Sequence, residues 1–453
     1  MAKLIIRHCS LEKGNKVGGM GLVDNILQRN FRLENNEVQV GEISVSEIVR
    51  EFQTPLFVYS SEVLDKQWSR LRGALPSNFS ISYSVKANPN QAILRHFLKK
   101  GCGLEIASAG EFFQALEAGC LPENILFAGA GKTEDELEFV LNQNIGEIHI
   151  ESFREVERID RLCRRLGKQT QVAIRVNPDG EALGGAMRMG GKPAPFGIDE
   201  ECLDSIIQKI LSYPSLHLQG IHFFAGTQIL DYQILLAQFR KGLEVAKRVG
   251  QYLNQPLHTV DFGGGLGIPY FTTDKELDTE NLREGLIHLM GQFEQEEVFV
   301  GTRFMVEPGR FLVGESGIYV TKITDIKVSR GKKFIIVDGG MNHHLAASGN
   351  LGQVIKRNFP VAVLNNFNQP AEEVVNIVGP LCTPLDTIAR DIRIPVPQLG
   401  DLVGVFQSGA YARTSSPMSF LSHWSPPEVL IENGTPRLIR RRGTIDDLFI
   451  DIQ

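Results

Sequence analysis

The sequence predicts an α/β protein: a closed (β/α)8 barrel of the TIM type followed by an all-β domain. Eight short β-type runs alternate with amphipathic helical patterns between Ser80 and Arg310. That span fits the roughly 250 residues such a barrel takes, and after Arg310 the pattern changes to short β-type runs punctuated by Gly and Pro. At 453 residues the chain has room for one large domain and a smaller one.

The eight strands are predicted at Ile81–Val85, Leu104–Ala107, Ile125–Ala128, Glu147–Ile150, Val172–Val176, Leu218–Phe223, Thr259–Phe262 and Arg303–Val306. Each is a short run rich in β-branched or aromatic residues and bounded by turn formers. Apolar residues recur at helical spacing in Ala92–Lys100, Gly110–Ala118, Glu134–Asn142, Phe153–Leu166, Glu201–Leu211 and Tyr232–Leu253. A doubly wound open sheet is the competing arrangement. In the second part, β-type runs are predicted at Gly317–Lys327, Lys333–Val337, Glu373–Val378, Asp401–Phe406, Glu428–Ile431 and Arg437–Arg440. Leu56–Tyr59 reads as one more strand, and the first ~50 residues carry no long helix. The expected organisation is therefore residues 1–60 joining the β domain, the barrel over 61–312 and the C-terminal β domain over 313–453.

Composition excludes several classes of function. With 47 basic and 53 acidic residues and a net charge of −6, the chain has no nucleic-acid footprint. The cluster Arg437-Leu438-Ile439-Arg440-Arg441-Arg442 reads as a solvated edge. No stretch approaches the ~20 apolar residues of a membrane span, and the apolar run at the N-terminus is interrupted by Arg7. The six cysteines show neither close metal-ligand pairs nor a disulfide framework, so a reduced, cytoplasmic protein is expected.

Reactive groups of a (β/α)8 barrel sit at the C-terminal ends of its strands. Here the first strand ends in Lys86, the second carries Glu105, and the fifth carries Arg175. The sixth ends at His222 with Phe224 and Thr227 beyond, the seventh runs into Gly263-Gly264-Gly265, and the eighth into Glu307-Pro308-Gly309-Arg310. The glycine turn lets backbone N–H groups approach an anion closely. It follows the seventh strand, where barrels commonly bind phosphate. It is not a dinucleotide fingerprint, because the third glycine would fall on Ile268.

Glu307 and Arg310 read either as a structural ion pair or as groups with separate targets, a pyridinium N–H and a phosphate. Cys382, in Gly379-Pro380-Leu381-Cys382-Thr383-Pro384-Leu385-Asp386, is a thiol fixed between turn residues and able to deliver a proton. Tyr411 offers a phenol to the phosphate. His343-His344 lacks spaced acidic or cysteine partners, so no metal is expected. A strand-end lysine, a glycine turn, the Glu-Pro-Gly-Arg tetrad and the late cysteine together read as a pyridoxal 5′-phosphate (PLP) site.

The ordered motifs, from about Thr54 to Asp447, resemble the fold-type III PLP-dependent decarboxylases, the diaminopimelate/ornithine/arginine decarboxylase family with its alanine racemase-like barrel. The resemblance implies that Lys86 forms the internal aldimine, with Glu111 supporting the lysine region. It implies that Thr227 and Gly263 to Gly265 cradle the phosphate, Glu307 pairs with the pyridine nitrogen, and Arg310 and Tyr411 complete the phosphate shell. Cys382 would protonate the quinonoid in the other subunit of a homodimer with shared active sites. The cofactor set expected is Lys86, Glu105, Arg175, His222, Phe224, Thr227, Gly263, Gly264, Gly265, Glu307, Gly309, Arg310 and Tyr411. The catalytic pair is Lys86 and Cys382, and the substrate set is Arg310, Cys382, Thr383, Asp386 and Tyr411.

The departures bear on the substrate. Where the family places a histidine in a His-Ile-Gly-Ser-Gln-like segment, this chain has Phe224-Ala225-Gly226-Thr227-Gln228. Diaminopimelate decarboxylases carry a Glu after the cysteine and an Arg after the Gly-Met-Asn turn. Here those positions are Thr383 and approximately Ala346. Phe223–Gln228, Asp338–Asn350 and Gly379–Asp386 look most like the exosortase-associated and glutamyl-carrier-protein decarboxylases, which implies a free or carrier-tethered amino-acyl substrate. Diaminopimelate decarboxylase proper and a fold-type III racemase are the alternatives within enzymes. The rivals from other classes are a non-catalytic regulatory relative, which would be expected to lose the lysine or phosphate groups, and a single-domain PLP carrier, disfavoured by the β domain.

Overall fold

A computed structural model describes residues 21–179, 187–188, 193–224, 226–351, 353 and 356–452. Eight parallel strands close into a barrel: β1 Phe79–Ser84, β2 Gly103–Ile106, β3 Ile125–Phe127, β4 Glu147–Ile150, β5 Thr170–Asn177, β6 Leu216–Phe223, β7 Thr259–Asp261 and β8 Arg303–Val306. They pair in sequence order, with β8 returning to β1 and β4 to β5. The strands are buried on both faces, one toward the barrel interior and one under the helical layer. Polar residues such as Glu105, Glu147, His149 and His222 are buried in them beside the apolar ones.

Local chemistry sets the helix ends. Ser152 caps Phe153–Leu166 by accepting from the Glu155 N–H, and Gly167 ends that helix in the left-handed region at φ 64°. After β8 the chain forms only the four-residue helix Arg310–Val313. The place of a full eighth helix is taken by Ser61–Ala74, which precedes β1 and packs against both Thr279–Phe293 and Arg310–Val313.

The second sheet runs Thr387–Ile394, Glu373–Val378, Lys332–Val337, Gly317–Ser329, Leu56–Ser60, Glu428–Glu432 and Thr435–Arg440. Leu402–Val405 also pairs with Gly317–Ser329, and Val361–Val363 pairs with Leu402–Val405. Leu56–Ser60 lies antiparallel to Gly317–Ser329 on one side and parallel to Glu428–Glu432 on the other. A strand from the N-terminal side of the barrel is thus fully enclosed in the C-terminal sheet.

The predicted barrel strands fall on the observed ones with ends displaced by up to two residues. Val85, expected to end the first strand, instead opens the 3-10 turn Val85–Ala87. The helix predicted from Glu201 is a 3-10 turn over Glu200–Cys202 and becomes an α-helix from Leu203. Val361–Val363 and Thr387–Ile394 were not expected as strands. The latter reads Thr-Ile-Ala-Arg-Asp-Ile-Arg-Ile, and its charges lie along the outer edge of the sheet.

In β6 the register shifts between Leu218 and Gly220, bringing the Gly220 backbone against β7 so closely that a Cβ would stand 1.7 Å from the Thr259 carbonyl oxygen. Gly220→Ala is therefore expected to destabilise the fold by about 3 kcal/mol or more. The midpoint of denaturant unfolding would measure it.

Candidate active site

The C-terminal mouth of the barrel faces the second sheet. Asn88 Nδ2 donates to the Gly409 carbonyl at 3.1 Å, and Asn90 Nδ2 donates to Glu428 at 3.0 Å. Between them the Tyr411 N–H donates to the Ala87 carbonyl at 2.9 Å. Lys86 sits in the turn so held. Its Nζ lies 2.9 and 3.0 Å from the two oxygens of Glu105, a buried carboxylate on β2 that also accepts from Ser84 Oγ. The Lys86 side chain remains 47% accessible. Burial pulls its ammonium down, but the charge of Glu105, with Tyr411 and Glu307 beyond, overrides this and leaves the pKa above the ordinary lysine value.

The glycine turn after β7 is packed as closely as its sequence suggests. Gly263 and Gly265 have φ of 64° and 99°. A Cβ on Gly263 would meet the Phe224 ring at 2.8 Å, and one on Gly264 the Glu307 carbonyl at 2.6 Å. The Gly263 N–H donates to Asp261 Oδ1, and the Glu307 N–H donates to the Gly263 carbonyl, each at 2.7 Å. Ile229 N–H donates to the Gly265 carbonyl at 2.9 Å, tying the Thr227 segment to the turn. Gly309 packs on the lysine turn, where a Cβ would lie 2.9 Å from that of Ala87.

Arg310 has no carboxylate partner among the described residues. Its guanidinium donates to Tyr270 Oη at 2.9 Å and lies over the rings of Tyr411 at 4.7 Å and Tyr270 at 5.4 Å, with Nε buried and without a partner. Tyr411 itself has φ 53°, a strained value for a tyrosine.

Glu307 is buried at the barrel centre. His222 Nε2 stands 3.1 Å from its Oε2, while its Oε1 has no hydrogen-bond partner. Burial works to raise the Glu307 pKa, but the adjacent His222 and His149 hold it well below the usual carboxylate range. Burial, against the pull of Glu307, pushes His222 down to about 4. Asp261 is pushed up by its own burial and by repulsion from Glu307.

Arg175 on β5 donates to Glu151 at 2.8 Å and lies over Phe196 at 5.1 Å and Phe224 at 5.9 Å. Phe224 is thus fixed between the glycine turn and a guanidinium. Ala225 lies outside the described residues.

Cys382 is an exposed free thiol on the loop after Glu373–Val378. Asp386 organises that loop: it is buried, and its oxygens accept from the Met341 N–H at 2.7 Å and the Leu381 N–H at 2.9 Å. Its carboxylate is thereby turned to backbone, of its own loop at Leu381 and of the neighbouring segment at Met341. Thr383 Oγ1 accepts from the Leu385 N–H. His343 and His344 are buried, bonded to Tyr319 and the Trp424 carbonyl and to Ser408 and the Ala347 N–H respectively. Burial pushes both down to about 3.

Sequence reasoning passed over Tyr270, Glu151 and above all His149. The signal for His149 was present: Glu147, His149 and Glu151 alternate with isoleucines, the period-2 pattern of a strand with a polar inner face.

These residues fit a cofactor of one chemistry. The barrel mouth holds an amine, a glycine turn beside an arginine that lacks a carboxylate partner, and a buried carboxylate with one free oxygen. Those are the groups a PLP enzyme needs for the aldehyde, the phosphate and the ring nitrogen. The sequence model of the pyridoxal-binding domain of pyridoxal-dependent decarboxylases matches residues 61–314. This chain belongs to that family.

Among its relatives, the L-glutamyl-[BtrI acyl-carrier protein] decarboxylase of Niallia circulans is 35% identical, covering 91% of this chain and 96% of the relative. The diaminopimelate decarboxylase of Zymomonas mobilis is 34% identical over 93% and 98%. A crystal structure of diaminopimelate decarboxylase from M. jannaschii with L-lysine superposes with a TM-score of 0.86 at 26% identity, covering 94% of this chain and 98% of that one. The fold and the PLP-decarboxylase class expected from sequence are thus established. No helix among the described residues is long and apolar enough to cross a membrane.

Glu111 lies beside this cluster, accepting from the Ala107 N–H at 2.7 Å. Burial, aided by Glu105 and opposed by Lys86, pushes it up to about 7. A carboxyl raised on folding favours the native state while neutral, and that contribution is lost as pH rises from its unfolded value of about 4.5 through about 7. The stability difference between Glu111→Gln and the unsubstituted protein should swing toward the variant across pH 5 to 8, as read from unfolding midpoints.

Proposed function

We propose that this protein removes the α-carboxylate of an amino acid held as an acyl group on a carrier protein, using PLP anchored to Lys86. The observation that carries the PLP assignment is the placement of the Lys86 amine in the turn after β1, between Glu105 on β2 and the turn after β8 that bears Glu307. When bound, PLP supplies an electron sink for the pair left as CO2 departs.

The chain's own groups then have separate tasks. Glu105 holds the Lys86 amine at the mouth. Arg310, Tyr411 and the N–H groups of Gly264 and Gly265 receive the phosphate, while the Glu307 carboxylate accepts the ring N–H and Phe224 and Arg175 flank the ring. The Cys382 thiol, exposed on its loop, gives its proton to the substrate Cα across a homodimer interface. Thr383 and Ala346 leave the distal end of the substrate without a charged partner at those two positions. That suits a tethered acyl group better than a free zwitterion, since a site without the matching charges discriminates poorly for them. The relative that acts on a glutamyl carrier protein supports the same reading. The similarity to diaminopimelate decarboxylases supports free diaminopimelate as the second reading.

Lys86→Ala should abolish both the absorbance of bound cofactor and CO2 release, and a fully active variant would refute the anchor. In a panel of free amino acids, meso-diaminopimelate and aminoacylated carrier proteins, a carrier-bound substrate should give the highest kcat/KM; diaminopimelate in first place would overturn tethering. Mixing inactive Lys86→Ala and Cys382→Ala chains should restore part of the activity, because mixed dimers regain one intact site. Absence of complementation would remove the shared site.

A further inference from the structure

Beneath the Lys86 mouth, β4, β6, β7 and β8 together bury two imidazoles and three carboxyl groups. His149 on β4 is fully enclosed, with Nε2 3.1 Å from Glu147 Oε1. The other oxygen of Glu147 accepts from Thr259 Oγ1 at 2.8 Å. The His149 ring stacks on that of His222, with centroids 4.4 Å apart and planes inclined by 26°. Its Nδ1, without a hydrogen-bond partner among the described residues, faces Glu307 Oε1 at 3.9 Å, and that oxygen is also without one among them. Each oxygen of Glu307 therefore has an imidazole nitrogen as neighbour.

The surrounding charges distinguish the two imidazoles. Of the cations near Glu307, Lys86 in the turn after β1 is paired with Glu105 and Arg175 on β5 with Glu151. Asp261 on β7 is a third carboxyl, committed through Oδ1 to the Gly263 N–H. Two charged rings stacked this closely would repel each other. His149 has a carboxylate facing each ring nitrogen and His222 faces one. Burial keeps His222 neutral, at about 4.

We propose that His149 is a positioning residue: held between Glu147 and Glu307, its ring fixes Glu307 as an oriented carboxylate for the ring nitrogen of the cofactor. The interaction chain Thr259, Glu147, His149, Glu307 links β7, β4 and the turn after β8, so the orientation of Glu307 is set from the barrel floor. The proposal rests on Glu307 being the partner of that nitrogen.

The test separates the two ideas. Apoprotein of the unsubstituted chain, Glu307→Gln, His149→Phe and Glu147→Gln is titrated with PLP and with 1-deaza-PLP, which carries C–H in place of the ring nitrogen, and bound cofactor is followed by absorbance. The unsubstituted protein should prefer PLP. Glu307→Gln should lower the preference by about tenfold or more, as expected for a lost charge-assisted hydrogen bond. His149→Phe, which keeps the stacked ring, and the isosteric Glu147→Gln should each lower it in the same direction.

A merely structural role would weaken both ligands equally and leave their ratio unchanged, which overturns the proposal. An unchanged ratio in Glu307→Gln overturns the Glu307 reading and the proposal with it. A changed ratio there, with an unchanged one in the other variants, overturns the proposal alone. If His149→Phe fails to fold, Glu147→Gln decides.

Discussion

The lysine turn is braced from both sides by backbone hydrogen bonds, and the geometry of the site depends on that bracing. The Ser84 N–H donates to the Pro308 carbonyl at 3.2 Å, joining the end of β1 to the turn after β8, while the Tyr411 N–H reaches the Ala87 carbonyl from the second sheet. Backbone bonds of this kind impose position without spending a side chain. Lys86, Glu307, Arg310 and Tyr411 are thereby free for chemistry although they come from distant parts of the chain. The absence of a Cβ at Gly309, which lies against Ala87 and Ser84, allows the close approach.

Charge is distributed with the same economy. Lys86 and Arg175 each meet a carboxylate, and so does Lys132, whose fully buried amine bonds Glu155 and the carbonyls of Gly129 and His149. Through that last bond the buried lysine holds the backbone of the strand that carries His149. Arg310 differs, because aromatic faces and one phenol surround it. A guanidinium kept this way loses water without being neutralised, a state that favours a dianionic guest.

Much of the fold was legible because eight short β-type runs, bounded by turn formers, alternate with helical patterns. The reactive residues were legible by position, since a lysine, an arginine, a glycine turn and a glutamate each followed or ended such a run. Other features escaped for physical reasons. Ser61–Ala74 precedes the first barrel strand, so no βα alternation pointed to it as the helix that completes the ring. Thr387–Ile394 carries its charges on an edge and lacks the apolar signature of an interior strand. Asp386 looked available because a carboxylate beside a cysteine invites a functional reading, whereas its partners are backbone N–H groups that no side-chain pattern discloses. His149 escaped because it lies inside a four-residue strand rather than at its end, where the reactive groups of a barrel are sought.

The place of Leu56–Ser60 has a consequence for the order of events during synthesis. That strand leaves the ribosome before any barrel strand, yet one of its two neighbours, Glu428–Glu432, emerges more than 350 residues later. Both sheet neighbours of this apolar segment follow the last barrel strand, so it stays unpaired until the barrel strands have been made, and a chain halted before Glu428 leaves one of its edges open, a partly folded state that exposes apolar strand.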